Sequence, residues 1–101
     1  MARRKIVDAH HHLWDLDHGY AYPWLQDKPA GDGMLGNLGS IARTYLPAHY
    51  LADASAYDVV KSVHIEAVPL DPLREPAWLT GLGARIPNAI VGFAALNAPD
   101  V

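Results

Sequence analysis

The sequence predicts an α/β chain built on parallel strands, and three observations point there. Three short apolar runs, at residues 5–12, 59–67 and 89–96, are separated by segments of helical or loop character. Strands alternating with helices imply parallel βαβ units. The runs are also apolar almost throughout, as expected of parallel strands buried on both faces, where antiparallel surface strands would alternate.

The first run, Lys5–Ala9, is short and partly β-branched and leads into three consecutive histidines, His10, His11 and His12. A long loop is expected over 13–37, where Gly19, Pro23, Pro29, Gly31, Gly33 and Gly36 accumulate. Its aromatic residues Tyr20, Tyr22 and Trp24 suggest that it folds over something. A short helix is expected over 40–45, with Ser40 as N-cap and Pro47 beyond its end, and a further helical turn over 49–54. Residues 59–67, VVKSVHIEA, form the clearest strand. Pro69 and Pro72 then mark a turn, and a helix is expected over 73–84 with Leu79, Leu82 and Ile86 as packing positions. The last run, AIVGFAAL at 89–96, is of strand length.

Composition narrows the function classes. The 101 residues are 50% apolar and 19% charged, enough for a core and too little charge for a disordered tail. A formal net charge of −3 argues against a general nucleic-acid binder, and Arg3, Arg4 and Lys5 read as a solvated basic end. There is no cysteine, which excludes disulfides and thiolate metal sites and fits a cytoplasmic setting. No apolar run approaches the ~20 residues of a membrane helix. MARRK is followed by too short an apolar stretch for a secretion signal, so a soluble chain is expected.

Strand alternation assigns faces. Val7, Ala9 and His11 would share one face of the first strand, and Ile6, Asp8, His10 and His12 the other. On the second strand Val63, Ile65 and Ala67 would oppose Ser62, His64 and Glu66. In a barrel, the polar faces would line the interior and the apolar faces meet the helices. His10 and His12, two residues apart, would project the same way from positions about 6–7 Å apart, close enough to converge on one metal ion. Asp8 would orient a ligand from behind. His64 and Glu66 are the candidate catalytic pair, as acid/base groups, ligands or substrate contacts. Trp14 and Trp24 would stack on a ring-shaped substrate or pin the loop. His18 and His49 read as surface residues, Trp78 as packing, and Asp58, Asp71 and Glu75 as turn or helix-start carboxylates.

Read in order, IVDAHHHLWD, YPWL, IARTYLP, VKSVHIEA, EPAWL and IVGFAAL resemble the start of the amidohydrolase-2 family, nearest to its sugar-lactone hydrolases, over nearly the whole chain. The resemblance implies a (β/α)8 TIM barrel of which residues 1–101 are the N-terminal, three-strand part. It also implies hydrolysis of a lactone or related ring ester, with a divalent metal, commonly zinc, bound by His10 and His12, or, in members that dispense with a tightly bound metal, with these two histidines kept as a substrate-binding pair. Family members are far longer, and the later histidines and late aspartate that complete such a site are expected outside this chain. A small-molecule substrate is expected, with no nucleic acid or membrane. The open sheet also invites self-association or a missing C-terminal partner portion. A non-catalytic metal-binding module and a metal-dependent decarboxylase of the same fold are the competing readings.

Overall fold

A computed structural model of the chain describes residues 2–26 and 36–100. Its centre is a three-stranded parallel sheet in the order β1 (Lys5–His11), β2 (Asp58–Ile65) and β3 (Ala89–Val91). Helix α2 (Pro47–Asp53) lies between the first two strands in sequence and α3 (Arg74–Gly81) between the last two, while α1 (Pro23–Gln26) is a single turn after β1. The parallel α/β arrangement expected from the alternating runs is therefore present.

Both longer helices cover one face of the sheet. Tyr50 of α2 and Leu79 of α3 join Leu13, Val59 and Ile86 in one buried cluster, and Ile90 of β3 packs against it. The opposite face is open. Val7 on β1 is 63% exposed and Val91 on β3 is 50% exposed.

Two irregularities decide which side chains reach which face. Between Ile6 and Val7 the pairing skips a residue on β2, so Ile6 faces Val59 and Val7 faces Lys61. Between Asp8 and His11 it skips one on β1, so Asp8 faces Ser62 and His11 faces His64. Each extra residue is a bulge that breaks the period of two. Val59, Ser62 and His64 consequently all turn toward the helices and are buried. Asp8 and His11 both meet Tyr50 of α2, through a 2.5 Å hydrogen bond from the phenol to Asp8 and a ring stack at 4.4 Å on His11. Simple alternation therefore gave the wrong side for Asp8, which does not share a face with His10 and His12, and for Ser62 and His64, which meet the helices instead of the open face.

Other boundaries shift for local reasons. Residues 40–45 do not form a helix. Tyr45 instead pairs with Trp14 in an antiparallel bridge, its N–H donating to the Trp14 carbonyl at 2.8 Å. Pro47, expected to follow a helix, begins α2, where its fixed φ fits and its missing N–H costs nothing. The His49 ring accepts from the Leu46 N–H at 2.9 Å and so closes the helix start. Helix α3 is shorter than expected, with Gly83 just past its end at φ 63, the left-handed conformation that glycine tolerates. Leu79 and Ile86 are buried as expected, whereas Leu82 is 41% exposed. Residues 92–96 leave the sheet after Val91 and do not pair as a strand. The loop expected over 13–37 contains α1 and the Trp14 bridge, and its portion at 27–35 lies outside the described residues.

The sheet and α3 are joined by one buried carboxylate. Glu75, expected as a simple helix-start acid, is 1% exposed and accepts from His64 Nε2 at 2.8 Å, the Ala67 N–H at 3.2 Å and the Tyr22 hydroxyl at 2.6 Å. Removing it would strand three buried donors. Glu75→Ala is expected to lower stability by about 3 kcal/mol or more, because each buried donor left without a partner is costly. Glu75→Gln, which keeps an acceptor oxygen, is expected to cost less. Urea denaturation followed by circular dichroism measures both.

Candidate functional site

His10 and His12 stand at the C-terminal end of β1, where parallel α/β proteins gather functional groups. Their ring centroids are 5.1 Å apart and nearly perpendicular. His10 is exposed and His12 half-buried. The two imidazoles are thus side by side, as the spacing requires, while His11 between them is buried and points to Tyr50 and Ser62.

His12 is held in a definite state. Its Nδ1 donates to the Ile65 carbonyl of β2 at 2.8 Å, which places a proton on Nδ1 and leaves Nε2 outside that bond. Metal-binding histidines are commonly oriented in this way, by donating the other ring N–H to a carbonyl. The indole of Trp14 lies almost parallel to the His12 ring, with centroids 6.4 Å apart.

His64 lies deeper. It is 0% exposed, with Nδ1 accepting from the Leu13 N–H at 3.1 Å and Nε2 donating to Glu75. Both ring nitrogens are committed, so His64 fixes the chain just beyond His12 and ties it to α3. Glu66 does not meet His64. The strand ends at Ile65, and the Glu66 carboxylate turns back to accept from the Val68 N–H at 2.8 Å. Val68 itself has φ 54, a left-handed conformation that a β-branched residue seldom adopts. The pairing expected of His64 with Glu66 is replaced by the pairing of His64 with Glu75.

The two tryptophans are pins. Trp14 Nε1 donates to the Arg43 carbonyl at 2.8 Å and Trp24 Nε1 to the Ala67 carbonyl at 2.7 Å, and their rings meet edge to face at 5.8 Å. With Tyr22 and Leu25 they form a second buried cluster that caps the strand ends. His18 is exposed as expected, but it hydrogen-bonds at 2.7 Å to the buried Asp15. Beside His12 and Trp14 lies a cleft of about 320 Å³, also lined by Ser40, Ile41, Arg43, Tyr45 and Asp53.

Four residues with a part in this arrangement were not singled out from sequence as site residues: Tyr50, Glu75, Arg43 and Asp53. Tyr50 and Glu75 act through contacts made across 42 and 53 residues, which no local pattern displays. For Arg43 and Asp53 the signal was equally absent, since the helix expected over 40–45 would have placed Arg43 elsewhere.

Among the described residues, no group of three or more histidine, cysteine, aspartate or glutamate side chains could hold a metal ion. His10 and His12 would supply two imidazole ligands, with the His12 ring oriented by its bond to Ile65, and a closed site would need ligands beyond them.

Comparison with known proteins adds one relative. The chain is 42% identical over 102 aligned residues to the uncharacterized protein y4mH of Sinorhizobium fredii (strain NBRC 101917 / NGR234). The match covers 95% of this chain and 33% of the relative, so the chain spans about a third of the length of the curated relative it matches. No protein-family model matches the chain, and no solved structure matches it.

The electrostatics of the flanking groups follow from their contacts. Burial pushes Tyr45 up to about 12, helped by its hydrogen bond to Asp53, and likewise raises Tyr22 beside Glu75 and Tyr50 beside Asp8. At Asp8, burial works to raise the carboxyl, but the hydrogen bonds from Tyr50 and the His10 N–H outweigh it and hold it below the usual range. A phenol raised on folding stabilises the fold below the unfolded value near 10, and that contribution is lost as pH climbs through the folded value. Ultraviolet titration of the folded chain is therefore expected to show Tyr22, Tyr45 and Tyr50 ionising later than in the urea-unfolded chain. Each of Tyr22→Phe, Tyr45→Phe and Tyr50→Phe should remove one late phenol.

Proposed function

We propose that this chain is the N-terminal part of an amidohydrolase-type (β/α)8 barrel, a hydrolase that opens a sugar lactone or related ring ester by attack of water. The observation that carries the reading is the His12 tautomer: its Nδ1–H is spent on the Ile65 carbonyl, and its Nε2 is left beside His10 at the C-terminal rim of a parallel strand. The open sheet face supports it as well, since an incomplete barrel leaves its inward residues, such as Val7 and Val91, uncovered. The longer relative provides room for further strands.

In this reading His10 and His12 hold a divalent ion, zinc by preference. When bound, such an ion activates water or polarises the ester carbonyl. The chain's own residues do the rest. The Ile65 carbonyl fixes the orientation of the His12 ring, and the Trp14 ring lies nearly parallel beside it. Glu66, at the end of β2, is the acid/base candidate. Its carboxylate is fixed by the Val68 N–H, which steadies one oxygen and leaves the other for proton transfer. His64 serves by position, holding Leu13 and α3 so that the rim keeps its shape. The substrate is a small molecule, and the setting a cytoplasmic one.

The test is acid release from aldonolactones in a pH-stat by this chain joined to the remainder of its barrel, with and without added zinc, alongside zinc titration by calorimetry. Wild type is expected to bind zinc, with His12→Ala and His10→Ala each weakening binding at least about tenfold. Turnover should fall by about 100-fold or more in His12→Ala with the circular dichroism spectrum unchanged. Retained zinc binding without turnover would favour a non-catalytic metal-binding module. Absence of both zinc binding and turnover would overturn the proposal.

A further inference from the structure

The cleft beside His12 has two charged groups of opposite sign on an aromatic wall. Trp14 and Ile41 supply apolar surface. Arg43 contributes a guanidinium that makes no side-chain hydrogen bond or ion pair among the described residues, while its backbone carbonyl is fixed by the Trp14 indole. Asp53 lines the same cleft, with Oδ2 accepting from the Tyr45 hydroxyl at 2.6 Å and Oδ1 without a partner among the described residues. At about 320 Å³ the cleft falls within the range of small-molecule sites.

We infer that this cleft binds a small hydroxylated carboxylate, with Arg43 reading the carboxylate and Asp53 a hydroxyl. A guanidinium presents a planar fork that matches a carboxylate. An ionised Asp53 accepts from a hydroxyl and repels a second anionic group, which selects monoanionic hydroxy acids over dianions and phosphates. The Trp14 face takes the ligand's C–H surface. The inference deepens the hydrolase reading and rests on it for the orientation of the ligand toward His12. Opening a ring ester produces one carboxylate and one hydroxyl, the two groups that Arg43 and Asp53 would recognise. Arg43 would then be a specificity-determining residue that favours the negatively charged product, and the charge developing toward it, over the neutral ring.

The experiment is calorimetric titration of the chain with D-gluconate, with D-gluconamide, which lacks the charge, and with hexanoate, which lacks the hydroxyls. Gluconate is expected to bind saturably, and the other two about tenfold or more weaker. Arg43→Gln should reduce gluconate to the level of the amide, Arg43→Lys should lie between, and Asp53→Asn should narrow the gap between gluconate and hexanoate. Equal affinity for gluconate and gluconamide on wild type would overturn the inference without recourse to any variant, as would gluconate binding unchanged in Arg43→Gln. Saturable gluconate binding in a chain that neither binds zinc nor hydrolyses lactones would overturn the hydrolase reading and leave the cleft assignment standing. Turnover without gluconate binding would do the reverse.

Discussion

The arrangement rests on a single desolvated carboxylate. Glu75 sits almost out of contact with water and gathers three donors from three parts of the chain: an imidazole on β2, a backbone N–H just past the end of that strand, and a phenol from the segment after β1. A carboxylate buried without partners would be prohibitively costly, so the three donors and the acid require one another. Through His64 the same network reaches the Leu13 N–H, one residue beyond His12. The rim of β1 is therefore fixed from below by a polar cluster and from the side by the Ile65 carbonyl.

Much of the architecture was legible in the sequence. Three apolar runs and their separations gave the parallel sheet, because burial on two faces demands continuous apolar composition. The His10 and His12 pair was legible too, since residues two apart in extended chain point together, and their rings lie 5.1 Å apart although a bulge falls between Asp8 and His11 and the strand ends at His11. What could not be read was register. A bulge leaves no composition signal, and here two of them turned Asp8, Ser62 and His64 toward the helices. Long-range partners were equally hidden: the EPAWL segment gave no sign that its glutamate would be buried against a histidine eleven residues earlier. The helix expected over 40–45 failed because Tyr45 gains two backbone hydrogen bonds from Trp14 that a helix would forfeit.

His12 and His64 differ in what their ring nitrogens do. His64 has both engaged and His12 has one engaged and one free, a distinction made by neighbouring backbone and not by residue type. Three of the four tyrosine and tryptophan polar atoms around the rim (Trp14, Trp24, Tyr22 and Tyr45) are likewise spent on fixing backbone or a buried acid, and the fourth holds Asp53. Rigid surroundings of this kind are what a binding site needs if its few unspent groups are to be held in place.

The extra residue in β1 makes the distance along the backbone from Asp8 to Leu13 a quantity the fold must keep. Removing the one extra residue would restore regular pleating with His11 still opposite His64, whereas removing two would turn every imidazole downstream to the other side of the sheet. The middle ring of the triplet would then be hydrated, and its two neighbours would be driven toward Tyr50 with no acceptor built to receive them. In this strand, length matters as much as identity.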